Sequence, residues 1–394
     1  MVIKNVKIVT MTGRNYENGF VRFEDKITEI GDMNDFSPMI EEEFDGSGKT
    51  LYPGFVDAHC HLGMWSDGLS MQLEGDDGNE TTDPATPHLR AIDSINAMDK
   101  CFADAVSAGV TSVCTGVGSA NPIGGSFALI KTAGSVRVDK LIVKNPVAIK
   151  FALGENPKNT YNDRDETPIT RMATAAIIRE QLRKALRYKD DLDEYSSKKG
   201  TDDEVSKPDF DAKCEALLPL FDKENKLKAH FHCHRADDIF TAIRIAKEFD
   251  LDYVLIHCTD GGIVADELAE DQPAVVLGPL FGDRGKPELA HHDISTPKTL
   301  FEHGIKFAVC TDHPETPIQY LPLTATLAVR GGLSREEALK AITINAAEIL
   351  GAADRIGSIE VGKDADFSLF SADPLDITVT PETVFVNGTI AYRK

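Results

Sequence analysis

The chain has 394 residues, 42 of them Lys or Arg against 64 Asp or Glu, for a formal net charge of −22. That balance repels nucleic-acid phosphates and anionic lipid heads, and no apolar run approaches the roughly 18 residues that span a bilayer. Nucleic-acid binding and membrane insertion are disfavoured, and a hydrophobic content of 42% suits a large soluble globular fold. Met1 to Lys7 shows neither an apolar h-region nor a small-residue cleavage site, which points to a cytoplasmic address. The seven cysteines, at 60, 101, 114, 214, 233, 258 and 310, form no CxxC pair and read as reduced thiols.

In chain order, residues 3–11, 19–24 and 27–31 read as short strands separated by Thr12-Gly13-Arg14-Asn15 and Asp25-Lys26. Continuous apolar segments then alternate with amphipathic helical stretches. Strands are predicted at 51–56, 112–115, 148–153, 227–232, 253–257, 274–277 and 306–310, and uninterrupted apolarity suits strands covered on both faces. Helices are predicted at 97–108, at 238–248, and at 334–350, where Ser334 stands as N-cap with Glu337 three residues on and Gly351 past the end. The alternation predicts a (β/α)8 TIM barrel with its active site at the C-terminal ends of the strands. Residues 367–370, 384–386 and 389–392 read as strands again, the last two joined by Asn387-Gly388, a strong hairpin signal.

Two stretches interrupt this pattern. Residues 65–90, polar and rich in Asp, Gly, Thr and Pro, read as a lid or pocket wall beside the first barrel strand. Residues 189–211, nine acidic against four basic, read as a solvated insertion. The glycine-rich run from Gly116 to Gly125 lacks the Lys-Ser/Thr of a phosphate cradle and reads as a tight active-site loop.

The sharpest chemical signal is Pro53-Gly54-Phe55-Val56-Asp57-Ala58-His59-Cys60-His61, an apolar strand ending in His-x-His. Side chains two apart on a strand point to one side, so His59 and His61 can share a cation. Further ligand types end later strands: His232 and His234 in Lys228-Ala-His-Phe-His-Cys-His-Arg235, His257 in Val254-Leu-Ile-His-Cys258, and Asp312 in Phe307-Ala-Val-Cys-Thr-Asp312-His313. The same period places His230 on the side of His232 and His234 but deeper, as a packed core histidine. Spacing leaves the choice between His232 and His234 open.

With these residues, the Ala108-Gly109-Val110-Thr111 turn and the closing Gly357-Ser-Ile-Glu-Val-Gly-Lys-Asp-Ala-Asp366, the chain resembles the amidohydrolase superfamily of metal-dependent hydrolases over nearly its whole length. His232-Cys-His234-Arg-Ala-Asp-Asp238 and Thr311-Asp312-His313-Pro314 resemble its imidazolonepropionase-like and dipeptidase-like branch. The resemblance implies a barrel over 51–356 with a smaller β-sandwich domain built from 1–50 and 357–394. It implies metal ligands at His59, His61, His232, His257 and Asp312, and a carboxylated, metal-bridging lysine at Lys150. A buried lysine is costly as an ammonium, whereas CO₂ capture makes it a carbamate that two cations can share. Glu155 is a rival oxygen ligand at the same edge, and a one-metal site without the bridge is the alternative.

The implied reaction is hydrolysis of an amide or cyclic amide C–N bond in a small molecule by metal-bound hydroxide. Asp312 serves as catalytic general acid and base, and His234 or His313 binds the developing oxyanion. Zinc is the expected metal, one or two ions per chain, with manganese, iron or cobalt also compatible. Arg235, Arg284 and Arg330 are available for a substrate carboxylate. A deaminase acting on a heterocyclic ring and a non-catalytic hydrolase-like scaffold are the competing readings. The resemblance is compatible with a homo-oligomer, for which the sequence marks no interface.

Overall fold

A computed structural model describes residues 1–67, 75–199 and 206–394. Its first strands are β1 (Val2–Ile8), β2 (Tyr16–Phe23), β3 (Ile27–Asp32), β4 (Glu43–Asp45), β5 (Thr50–Pro53), β6 (Phe55–Cys60), β7 (Val110–Thr115) and β8 (Ile123–Lys131). There follow β9 (Ile142–Ala152), β10 (Lys228–Cys233), β11 (Tyr253–His257), β12 (Ala274–Leu277), β13 (Phe307–Val309), β14 (Phe367–Phe370), β15 (Thr383–Val386) and β16 (Thr389–Arg393). The short segments at the two chain ends find their partners in each other, forming one sheet of order β16-β15-β14-β5-β1-β2-β3 with β4 on β1. Asn387 and Gly388, at φ 46° and 71°, make the tight turn between β15 and β16 that the Asn-Gly pair predicts.

The second sheet runs β6 to β13 in sequence order, eight strands forming a nearly closed barrel. All neighbours are parallel except β8, which is antiparallel to both β7 and β9. This corrects the regular (β/α)8 expectation at its third strand. The glycine-rich run of 116–125 is only partly a loop, since β8 begins at Ile123. No helix separates β7 from β8, and a strand that follows its neighbour without a crossover must return antiparallel. The predicted strand at 51–56 is likewise two strands, because the chain leaves the terminal sheet at Pro53 and enters the barrel at Phe55. Gly54 N–H there donates to the Asp366 carbonyl at 3.0 Å.

The predicted helix over 334–350 divides into Arg335–Ala341 and Ile344–Ile349. The Ile342 carbonyl between them accepts instead from Val56 N–H of β6 at 2.8 Å. Ser334 Oγ accepts from Glu337 N–H at 3.2 Å, the N-cap bond predicted. Ser334→Ala is therefore expected to lower unfolding free energy by about 1 kcal/mol; an unchanged denaturation midpoint would show that the cap contributes nothing. Residues 189–198 are the end of a helix, Arg171–Lys198, rather than insertion. Parts of the stretches 65–90 and 189–211, namely 68–74 and 200–205, lie outside the described residues. All seven cysteines are buried free thiols. No helix among the described residues is long and apolar enough to cross a membrane.

Candidate active site

The C-terminal ends of β6, β9, β10, β11 and β13 converge on one rim of the barrel. Donor atoms of His59, His257 and Asp312 lie within 4.8 Å of one another, and so do those of His232, His234 and His257. Asp312 Oδ1 is 3.2 Å from His61 Nε2 and 3.6 Å from His59 Nε2. Lys150 Nζ lies 3.1 Å from His59 Nε2 and forms no ion pair among the described residues. The structure thus brings together His59, His61, Lys150, His232, His234, His257 and Asp312.

The backbone fixes how these rings face. His61 Nδ1 and His257 Nδ1 lie 2.7 and 2.6 Å from the carbonyl oxygens of Gly116 and Gly278. Carbonyls only accept, so Nδ1 carries the proton and Nε2 keeps its lone pair toward the cluster. Gly278 must be glycine to do this: its φ is +129°, and a Cβ there would fall 2.5 Å from the Cys310 carbonyl oxygen. His257, Cys258 and Asp312 have φ of 72°, 47° and 53°. Left-handed backbone of this kind costs about 1 kcal/mol or more per residue, and here it falls where donor side chains must be aimed.

Asp57 spans the gap between the first and last barrel strands. Its Oδ1 accepts from His59 N–H at 3.1 Å and its Oδ2 from Thr311 N–H and Oγ1 at 3.1 and 2.5 Å. Asp312 N–H in turn donates to the His59 carbonyl at 3.2 Å. Burial pushes the Asp57 carboxyl up to about 7 despite these bonds.

Burial, with the Lys150 ammonium acting in the same direction, drives His59, His232 and His257 well below the usual imidazole range, and the Asp312 charge only partly opposes it at His257. They are neutral at pH 7, the form that offers a lone pair to a cation. Burial alone would raise Asp312, but His257, His61 and Lys150 outweigh it and hold the carboxyl below its usual value. Its Oδ1 is buried without a hydrogen-bond partner among the described residues. Neutral imidazoles around an ionised, unpartnered carboxylate oxygen are a donor set that fits a divalent cation. Burial lowers the Lys150 amine to about 8, opposed by the Asp312 charge. His230 is buried without a hydrogen-bond partner among the described residues, and burial lowers it to about 3.

Other expectations fall differently. His234 Nδ1 lies 2.8 Å from Thr259 Oγ1, and its ring lines a cavity of about 680 Å³ above the rim. His313 does not line it: its Nδ1 accepts from Ile318 N–H at 3.2 Å. Glu155 reaches the rim through its backbone, whose N–H donates to Glu288 Oε2 at 3.0 Å. Glu288, which no motif marked, is the buried acid here, with Oε1 3.9 Å from His232 Nε2 and 3.7 Å from His234 Nε2. Arg235, Arg284 and Arg330 are exposed and none lines the cavity. Lys286 does, as do Asn156 and Ser119 of the glycine-rich run. Trp65, from the predicted pocket wall, packs edge-on against His61 at 5.0 Å and lines the cavity with Asn79.

A solved amidohydrolase from Thermotoga maritima is 39% identical, with a TM-score of 0.93 and full coverage of both chains. An imidazolonepropionase of Fusobacterium nucleatum is 25% identical over 96% of this chain and 92% of its own. Amidohydrolase tasK of Hapsidospora irregularis is 28% identical over 93% of this chain, which spans only 39% of that protein's length. The profile of the amidohydrolase family matches residues 50–391. The chain belongs to the amidohydrolase family, enzymes that hydrolyse carbon–nitrogen bonds.

Proposed function

We propose that this chain hydrolyses an amide or cyclic amide bond of a small molecule with divalent cations, zinc by donor type, held at the barrel rim. The observation that carries the reading is the convergence of neutral imidazoles on the unpartnered carboxylate oxygen of Asp312. His59, His61 and Asp312 would hold one ion and His232 and His257 a second, with Lys150 as the bridging carbamate. Lys150 suits that role because it is fully buried, faces His59 and lacks an ion pair among the described residues. His232 Nδ1 is buried without a hydrogen-bond partner among the described residues, whereas His234 Nδ1 is engaged by the Thr259 hydroxyl at 2.8 Å and its ring lines the cavity. That difference supports His232 as the ligand and His234 as the group facing substrate.

Bound divalent cations would supply a lowered water pKa and a polarised carbonyl. Asp312 takes the proton of the attacking water and passes it to the leaving nitrogen. With the Thr259 hydroxyl donating to Nδ1, His234 presents Nε2–H to the developing oxyanion. On this reading 54–356 is the catalytic barrel, and 1–53 with 357–394 is a β-sandwich domain bracing its opposite end, the boundary falling after β5 rather than before residue 51.

Chelation followed by reloading with zinc, with and without bicarbonate, tests the reading on N-acyl amino acids, dipeptides and lactams. Activity should vanish on chelation and return with metal, faster with bicarbonate. Lys150→Ala should lose the bicarbonate response and about two orders of magnitude of activity. Hydrolysis indifferent to chelation and to Lys150→Ala would overturn it.

A further inference from the structure

We infer that the cavity selects a substrate carrying a carboxylate close to its scissile bond, and that Lys286 is the residue that reads it. The inference rests on the hydrolytic reading above and adds the substrate class. Lys286 is the one lysine or arginine lining the cavity among the described residues. Its Nζ donates to Asn156 Oδ1 at 3.1 Å, and among the described residues it has no ion-pair partner. An ammonium held against a neutral amide at a cavity wall keeps donors for an incoming anion.

Its position ties it to the reacting centre. Asn156 Nδ2 donates to Ser119 Oγ at 2.9 Å and lies 3.4 Å from His232 Nε2. One side-chain amide therefore separates the cation from a proposed metal ligand, so Nζ stands no more than about 9 Å from it by bond and hydrogen-bond lengths. A carboxylate on Nζ would lie within a few bonds of a carbonyl at the rim, as in an N-acyl amino acid, a dipeptide or a lactam acid. The segment is anchored, since Glu288, two residues on, is buried and takes the Glu155 N–H. Of the carboxylates that line the cavity, Asp312 belongs to the proposed metal site, and Asp163, Asp283 and Glu315 are exposed, so water and salt screen them.

The test uses the metal-loaded enzyme and matched pairs: N-acetyl amino acids, dipeptides and lactam acids, each as the free acid and as its carboxamide. Wild type should prefer the acids in kcat/KM by about tenfold or more. Lys286→Ala should collapse that ratio chiefly through KM for the acid, and Lys286→Arg should retain it within about threefold. Equal use of acids and carboxamides by wild type, or an unchanged ratio in Lys286→Ala, would overturn the inference while leaving C–N hydrolysis standing. Hydrolysis of neither member of any pair would overturn it together with the reading it rests on.

Discussion

Asp312→Asn is expected to lower kcat by about a thousandfold while leaving the fold intact. Asparagine keeps the side chain's shape and is among the residues that tolerate the left-handed backbone found there, φ 53°. The Asp312 N–H bond to the His59 carbonyl does not depend on the side chain. What disappears is the negative charge beside His59 and His61 and the acceptor that moves the proton between water and leaving nitrogen. Steady-state kinetics with circular dichroism separates the two effects. Near-normal turnover in a folded variant would remove Asp312 from the chemistry.

Lys131→Met should be the most destabilising single change away from the site, by about 3–5 kcal/mol. Because β8 runs antiparallel, it carries Lys131 to the barrel end opposite the rim. There the ammonium, 2% exposed, pairs with Asp364 at 3.0 Å and with Asp366. Arg355 and Lys26 also hold Asp364, at 2.8 and 3.0 Å, while Asp366 Oδ1 takes the Asn387 N–H at 2.9 Å. Methionine would leave two buried carboxylates short of a cation. Burial would raise Asp364, but Lys131 and its other partners hold it below its usual value. A carboxyl lowered on folding contributes stability above its unfolded pKa near 3.9 and loses it as pH falls through the folded value. The difference between wild type and Lys131→Met should therefore narrow below about pH 4, and Asp366→Asn should recover part of the loss. An equal difference at pH 7 and pH 3 would count against the ion cluster.

The residues of the rim were legible because strand periodicity and chemistry coincide there: His59 and His61 are two apart at a strand end, and His257 and Asp312 end later apolar runs. Features set by tertiary hydrogen bonds were not. Nothing local marks Ile342 as a helix break, since its carbonyl serves a strand almost 290 residues earlier, at Val56. The third barrel strand was hidden because it starts in glycines that read as a loop. Lys286 and Glu288 stand in a polar segment without periodicity, so nothing local distinguishes Lys286 from Arg235, Arg284 and Arg330, which the fold leaves at the surface.

Metal content measured on protein expressed in metal-replete medium, beside His59→Ala and His257→Ala, shows whether the rim holds cations. Wild type should carry about two equivalents of divalent transition metal per chain. His59→Ala should keep about one, and His257→Ala, whose ring belongs to both clusters, fewer still. Less than about half an equivalent in wild type, or full content in both variants, would contradict cation binding there.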